Sequence, residues 1–287
     1  MLNVNPAVSV LMTAYNREKY IAEAIESVLA STYKNFELII VDDCSKDETV
    51  NIARRYEQKD SRVTIYINGE NLGQFPNRNK AADYAHGKYI IYVDSDDTIF
   101  PDGIENLIGV MESCPEASFG MYSSESTRVN IIPPGDSIKK HFFEKPFLGI
   151  GPGGTILRLS FFKEIGGYPV DYGIPGDMFF NLKVCCYSPI VLIPFRFVNY
   201  RRHDGQEINN SYDYLYNNYK YQRDALLYLP LGLKSDETEW LLKKAKRRFV
   251  FNILAYFFTT YNLKKTNFAL KKANFSLADA FAGVFHF

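Results

Sequence analysis

Tyr89-Ile-Ile-Tyr-Val-Asp-Ser-Asp-Asp97 is the stretch on which the fold of this chain turns. Five apolar or aromatic residues in succession predict a strand buried on both faces, as in a parallel sheet. The strand runs straight into three carboxylates, Asp94, Asp96 and Asp97. Such groups repel one another and are costly to desolvate unless something cationic compensates. A divalent ion with oxygen ligands, often shared with a substrate's phosphates, is the usual compensation. In open α/β sheets, ligands sit at this end of the strands. The bland alternative is an acidic helix start, with Asp97 opening the next helix.

Working outward, strand and helix signals alternate. Apolar runs predict strands over 8–12 and 36–41, and alternation predicts a third over 63–67. Ile21, Ala24, Ile25, Val28 and Leu29 recur at helical spacing, which predicts a helix over 17–30 after a turn at 13–16. Ser45 with Glu48 reads as a capping box opening a second helix. A third helix ends near Ala85, with Gly87 as its left-handed stop. Short connections in this order imply right-handed crossovers and a parallel sheet. Further on, a helix over 104–111, a strand over 118–122, a loop over 136–146 and a glycine-rich turn at 150–155 continue the domain. Phe161 to Ile165 reads as a short helix stopped by Gly166-Gly167, and Gly176-Asp177 heads another. Residues 190–200 read as extended, and from about 209 the chain is helical with a break at Pro230 and Gly232.

The 287 residues suffice for one large α/β domain with an appendage. A net charge of zero argues against general nucleic-acid binding. Cys44, Cys114, Cys185 and Cys186 form neither metal-spaced pairs nor a disulfide framework, which suits a reducing compartment. With no leader-like segment and no apolar run near the roughly 20 residues that span a bilayer, the expectation is a cytoplasmic protein. Neither G-x-G-x-x-G nor G-x-x-x-x-G-K follows the first strand, so a dinucleotide or P-loop site is not expected. Phosphate must then be neutralised otherwise, and an Asp-bound metal would do so. Asp42/Asp43 and Asp94/Asp96 end two different strands, fitting a nucleoside on one side and its diphosphate with metal on the other.

Val8-Ser-Val-Leu-Met-Thr-Ala-Tyr-Asn16, Phe36-Glu-Leu-Ile-Ile-Val-Asp-Asp43, Asn71-Leu-Gly73, Arg78-Asn79 and Asp94-Ser-Asp-Asp97 together resemble the family 2 glycosyltransferases. Their order and spacing match over about residues 7–115. A looser match runs on through the glycine loop, Gly166-Gly167-Tyr168, Gly176-Asp177 and Tyr200-Arg-Arg-His203. The resemblance implies a metal-dependent inverting enzyme with a nucleotide-sugar donor. It also implies a GT-A fold, a mostly parallel Rossmann-like α/β sheet flanked by helices. The expected division is a catalytic domain over 1–208, with a nucleotide-sugar half at 1–115 and an acceptor half at 116–208. A helical extension over 209–287 follows.

The resemblance puts Thr13, Tyr15 and Asn16 against the donor's base and ribose, although Asn16 could equally cap the first helix. Asp43 resembles the base-reading carboxylate, able to accept the N3–H of uracil but equally that of other bases. Asp42 would hold the loop that follows it. Arg78 approaches base or diphosphate with a fixed charge and planar donor fork, or is a plain solvated helix position. Asp94 and Ser95 join the donor contacts. Asp96 binds Mn²⁺ or Mg²⁺, with His203 a further metal contact and Arg202 on the phosphates. Imidazole suits Mn²⁺ better than Mg²⁺. Asp177 is the expected general base, with Asp171 the fallback and a helix cap the bland alternative. Family members carry Glu-Asp where this chain has Gly176-Asp177.

Between Trp240 and Lys272 there are nine Lys or Arg and no acid, interleaved with aromatics. A helix in the interface of an anionic membrane, a protein-partner face and simple packing on the catalytic domain would all look like this. The expected reaction is transfer of a sugar from a nucleotide diphosphate, a UDP-sugar by expectation, to a hydroxyl of a glycan or lipid-linked glycan in polysaccharide biosynthesis. A sugar nucleotidyltransferase would need a glycine-rich basic loop where Thr13-Ala-Tyr-Asn16 stands. A catalytically silent sugar-nucleotide scaffold is the remaining rival.

Overall fold

The computed structural model describes residues 6–203 and 211–275. Its strands are β1 (Val8–Ala14), β2 (Phe36–Asp42), β3 (Val63–Ile67), β4 (Tyr89–Tyr92), β5 (Thr98–Ile99), β6 (Phe119–Tyr122), β7 (Asn130–Ile132), β8 (Thr155–Arg158), β9 (Ile190–Ile193) and β10 (Val198–Asn199). Eight of them form one sheet in the order β3-β2-β1-β4-β8-β6-β9-β7, while β5 and β10 pair separately. The β1–β2, β2–β3, β1–β4 and β6–β9 pairs are parallel, and the reversed strands are β8 and β7. The sheet is therefore mostly parallel, as expected. Chain order reverses at β1, whose neighbours are β2 and β4. The loops leaving β1 and β4 thus flank the crevice where open α/β sheets take ligands.

Helices cover both faces. Val8, Val10 and Met12 of β1 face a core built with α1 (Ile21–Leu29), α2 (Thr49–Glu57) and α4 (Gly103–Ser113). Leu11 points the other way, into a core with α3 (Gln74–Asp83), α6 (Leu159–Glu164) and α7 (Gly176–Tyr187). That alternation is the two-residue period of a strand buried on both faces. Tyr89 and Tyr92 of β4 are wholly buried.

Several local expectations need correction. No capping box forms at Ser45 and Glu48: Ser45 Oγ donates instead to Asp42, and α2 begins at Thr49, whose N–H and hydroxyl both bond Asp47. Gly87 is not a left-handed stop. A Cβ there would lie 2.5 Å from Ser9 N, so glycine is needed where the chain crosses β1 closely. The stretch 136–146 is mostly helical rather than a loop, with α5 (Pro134–Lys139) running into a π-helical turn at Lys140–Glu144. Its buried Ser137 and Ile138 anchor it. The first helix begins at Ile21 rather than at 17: Asn16 takes a left-handed φ of 52°, and Tyr20 and Ile21 both donate to Arg17 O in a turn that leads into the helix. Asp97 opens no helix; β5 follows it, and α4 starts later after Asp102.

Three further helices, α8 (Ser211–Tyr228), α9 (Ser235–Thr260) and α10 (Leu263–Lys272), follow the α/β body. Tyr221, Ala225, Leu226, Leu231 and Leu241 belong to the core shared with α7. Gly232, at φ 68°, makes the expected break between α8 and α9. Beyond Leu241 a smaller core of Phe249, Ile253, Leu270 and Phe275 closes on Tyr219, which stacks on Phe249 at 4.8 Å. The expected boundary at 208/209 lies outside the described residues.

Candidate active site

The carboxyl ends of β1, β2 and β4 open into one cavity of about 690 Å³. Thr13, Tyr15, Asp43, Arg78, Asp94, Ser95, Asp96, Asp177 and Arg202 all line it. Asn16 and His203 are not among the lining residues. Asn16 caps no helix either; its Oδ1 accepts from Lys46 N at 2.8 Å, while its own N–H donates to Ser45 Oγ. The residue therefore joins the loops after β1 and β2. Asp171 is likewise absent from the lining.

Asp43 is buried and already holds three donors. Oδ1 accepts from Asn68 Nδ2 and Leu72 N, and Oδ2 from Gly73 N at 2.8 Å. A carboxylate offers about four acceptor sites, so one remains. Gly73, at φ 88°, turns its N–H toward Asp43 as α3 begins. Asp42, wholly buried, accepts from both N and Oγ of Ser45 and holds that loop as expected. Burial raises its carboxyl, opposed by the Ser45 hydrogen bonds.

Arg78 is buried, not solvated. Its Nη2 donates to Asp94 Oδ1 at 2.6 Å, whereas Nε and Nη1 have no hydrogen-bond partner. Buried donors without partners are costly, so a guanidinium left this way in a cavity wall suits an anionic ligand. Ser95 Oγ donates to Thr13 O at 2.8 Å, tying the loop after β4 to the end of β1.

Asp96 Oδ2 has two nitrogen neighbours, Arg17 Nε at 3.0 Å and His203 Nε2 at 2.9 Å. Tyr20 stacks on the His203 ring at 4.8 Å. Arg201 binds Asp97 Oδ1 through its N–H and Asp96 O through Nε, which anchors the 201–203 segment over the carboxylates. Burial pushes Asp97 up to about 7, against the Arg201 N–H and helped by Asp94 and Asp96.

Asp96 Oδ2 and His203 Nε2, 2.9 Å apart, would offer one carboxylate and one imidazole donor, a set that suits Mn²⁺ better than Mg²⁺. Among the described residues no group of three or more His, Cys, Asp or Glu could hold a metal. A divalent ion there would need substrate phosphate and water to complete its shell.

Asp177 lies across the cavity in the first turn of α7. It is not the helix cap, which is Pro175. Burial pushes its carboxyl up to about 6, against the Met178 N–H and the Arg78 charge. A base poised near neutral pH is what proton abstraction asks for. The glycine turn at Pro152–Gly154 runs between the two acids: a Cβ on Gly151 would lie 3.5 Å from Asp177 Oδ2, and one on Gly153 4.0 Å from Asp94 Oδ2. Gly176 has a steric reason to be glycine, since a Cβ there would meet the Phe75 ring at 2.6 Å.

Arg17 and Arg201 were not among the expected site residues. Arg201 stood beside two that were, but nothing local to 17 signals that its guanidinium reaches Asp96, 79 positions away.

A mostly parallel α/β sheet with carboxylates at its strand ends and a further carboxylate facing them matches a GT-A glycosyltransferase scaffold. The family model for glycosyl transferase family 2 matches residues 9–165, and the chain belongs to that family. It is 40% identical over 231 residues to the uncharacterised glycosyltransferase RP339 of Rickettsia prowazekii, covering 74% of this chain and 69% of that protein. TuaG of Bacillus subtilis, named a teichuronic acid biosynthesis glycosyltransferase, is 40% identical over 124 residues, 43% of this chain and 49% of TuaG. The chain thus spans about half, or less, of the length of several curated relatives it matches. Among solved structures, S. aureus TarS 1-349 in complex with UDP-GlcNAc superposes with TM-score 0.72 at 20% identity, over 96% of this chain and 81% of that one. Mannosyltransferase PcManGT from Pyrobaculum calidifontis, in complex with GDP-Man and Mn²⁺, does so with TM-score 0.65 at 17% identity, over 97% and 79%. These two likenesses show the fold.

Proposed function

We propose that this protein transfers a sugar from a nucleotide diphosphate donor, a UDP-sugar by our reading, to an acceptor hydroxyl with inversion. One observation carries this: Asp43, the Asp94–Asp96 pair and Asp177 converge on a single cavity although they come from three separate elements. Names and titles of similar proteins support it, one for teichuronic acid biosynthesis and others with bound UDP-GlcNAc or GDP-Man. The donor half is residues 1–115, the acceptor half 116–208, and 209–287 an extension.

In the proposed reaction Asp43 accepts from the base and Thr13, Tyr15, Asn16 and Ser95 frame the nucleoside. Arg78 and Arg202 meet the diphosphate with fixed charge. Asp96 and His203 would hold Mn²⁺ or Mg²⁺, which when bound offsets charge on the departing diphosphate. Asp177 takes the acceptor hydroxyl's proton as that oxygen attacks the anomeric carbon. The bond to the diphosphate breaks on the opposite face, and its electron pair leaves with the nucleotide.

Among the described residues no helix is long and apolar enough to cross a membrane. The extension's exposed Phe258, Tyr261, Leu263 and Phe268, near Lys264 and Lys265, suit peripheral contact with an anionic membrane surface or a protein partner.

The direct test is a calorimetric screen of UDP, GDP and dTDP with Mn²⁺, followed by NMR of the product anomer. The proposal expects one nucleoside diphosphate to bind only with metal, and a product of anomeric configuration opposite to the donor's. Retention of configuration would contradict the mechanism.

A further inference from the structure

A second cavity, of about 330 Å³, opens beside the first and shares Gly149, Met178 and Tyr214 with it. Met178 follows the proposed base, so the two spaces meet on the acceptor side of Asp177, away from Asp43. The second cavity lies between the turn at Lys140–Glu144, α7 and the helices α8 and α9. Its floor is apolar, with Leu182, Leu226, Leu241 and Phe249. Asn218, Gln222, Asn252, Lys244 and Arg248 supply the polar groups, and no Asp or Glu is in the lining among the described residues. Neither Lys244 nor Arg248 is in an ion pair among the described residues; the Lys244 ammonium rests on the Trp240 ring at 4.8 Å. His141 adds a neutral donor. Burial pushes it down to about 4, and its Nδ1 accepts from the N–H groups of Phe147 and Leu148, which leaves the proton on Nε2.

Two cations without a protein acid, over an apolar floor in a space at the lower end of small-molecule sites, select an anionic ligand with apolar faces. Resting on the transferase reading above, we propose that this cavity is the acceptor subsite and takes a sugar unit that carries a phosphate or carboxylate, read by Arg248 and Lys244. Met178 and Gly149 are the threshold by which that unit presents its neighbour's hydroxyl to Asp177. Part of the basic run in α9 is then an acceptor reader: Lys244 and Arg248, exposed like Lys243 and Arg247, are the two of these four that line the cavity.

The test is titration of glucose 1-phosphate, glucuronate and glucose into the full chain with UDP and Mn²⁺ present to fill the donor side. One of the two anions is expected to bind about 10–100-fold tighter than glucose, the span of a hydrogen bond to a charged group. Which anion prefers the site distinguishes a phosphate-bearing from a uronic-acid acceptor. Arg248→Gln with Lys244→Gln should erase the preference, Arg248→Lys should retain most of it, and UDP affinity should not change in either. Equal affinity for all three sugars in the wild type, or a preference that survives the double substitution, overturns the subsite. No UDP binding by the wild type would instead strike the donor reading on which the proposal rests.

Discussion

The proposed donor side and the proposed acceptor side of this molecule are built on opposite plans. On the donor side the carboxylates come with protein partners: Asp43 with three N–H donors, Asp94 with Arg78, and Asp96 with Arg17 and His203. On the acceptor side Asp177 has the adjacent Met178 N–H and burial, and Lys244 and Arg248 have no acid. Such partners hold charged groups in a fixed geometry, which suits recognition of a highly charged ligand, although burial pushes Asp97 on the same side up to about 7. Across the cavity burial leaves Asp177 near neutral pH for proton transfer, and sparse pairing leaves cations available for a ligand. Preorganisation and reactivity are separated by the width of one cavity.

The contrast can be broken most severely at Asp96. Asp96→Asn should lower nucleotide affinity in the presence of Mn²⁺ by at least about 100-fold, since a metal offsets several kcal/mol of diphosphate charge. Calorimetry with and without metal checks it, and unchanged affinity would remove Asp96 from the metal site. A second test sharpens the acceptor side. Because Asp177 is raised from its ordinary 3.8 to about 6, it is protonated and inert as a base below that pH. The transfer rate should therefore fall about tenfold per pH unit below about 6 and level off above it. The same elevation has a stability consequence of defined sign. An acid that ionises at a higher pH when folded opposes folding as pH rises from 3.8 to about 6. Asp177→Asn should thus stabilise the fold at pH 7.5 by up to roughly 3 kcal/mol, with the gain vanishing below about pH 4. Thermal melts across pH read this. Next in size, Gly176→Ala should destabilise by about 1–3 kcal/mol through the Phe75 clash. Phe75→Leu in the same chain should recover part of that in chemical denaturation. The smallest effect is expected at the exposed end of the extension. Replacing Phe258, Leu263 and Phe268 by Ser should reduce co-sedimentation with anionic vesicles several-fold at low salt, and less at high salt, where charge is screened.

What was legible in the sequence followed from local pattern. The buried run at 89–93, with its carboxylates, located the crevice because strand period and charge are both readable over a few residues. Asp43 and Asp94, at strand ends, reached the same cavity for that reason; Thr13, Arg78 and Asp177 were singled out by the resemblance and line it too. What failed depended on contacts distant in sequence. Ser45 and Glu48 have the letters of a capping box, but the buried Asp42 carboxylate competes for Ser45. Gly87 has the letters of a helix stop, yet answers to Ser9, 78 positions away. Asn16 joins Lys46 instead of capping α1. The basic, aromatic run of α9 admitted membrane, partner or packing; in the fold Leu241 and Phe249 are packed inward, while other residues of the run remain exposed.

The separation of donor binding from proton transfer is tested most directly by one paired measurement on Asp177→Asn: nucleotide affinity with Mn²⁺, and the single-turnover rate of sugar transfer. Affinity should stay within about twofold of wild type while transfer falls about 10²–10⁴-fold, the range for loss of a general base. A substitution that transfers at the wild-type rate, or one that loses nucleotide binding in step with activity, would contradict it.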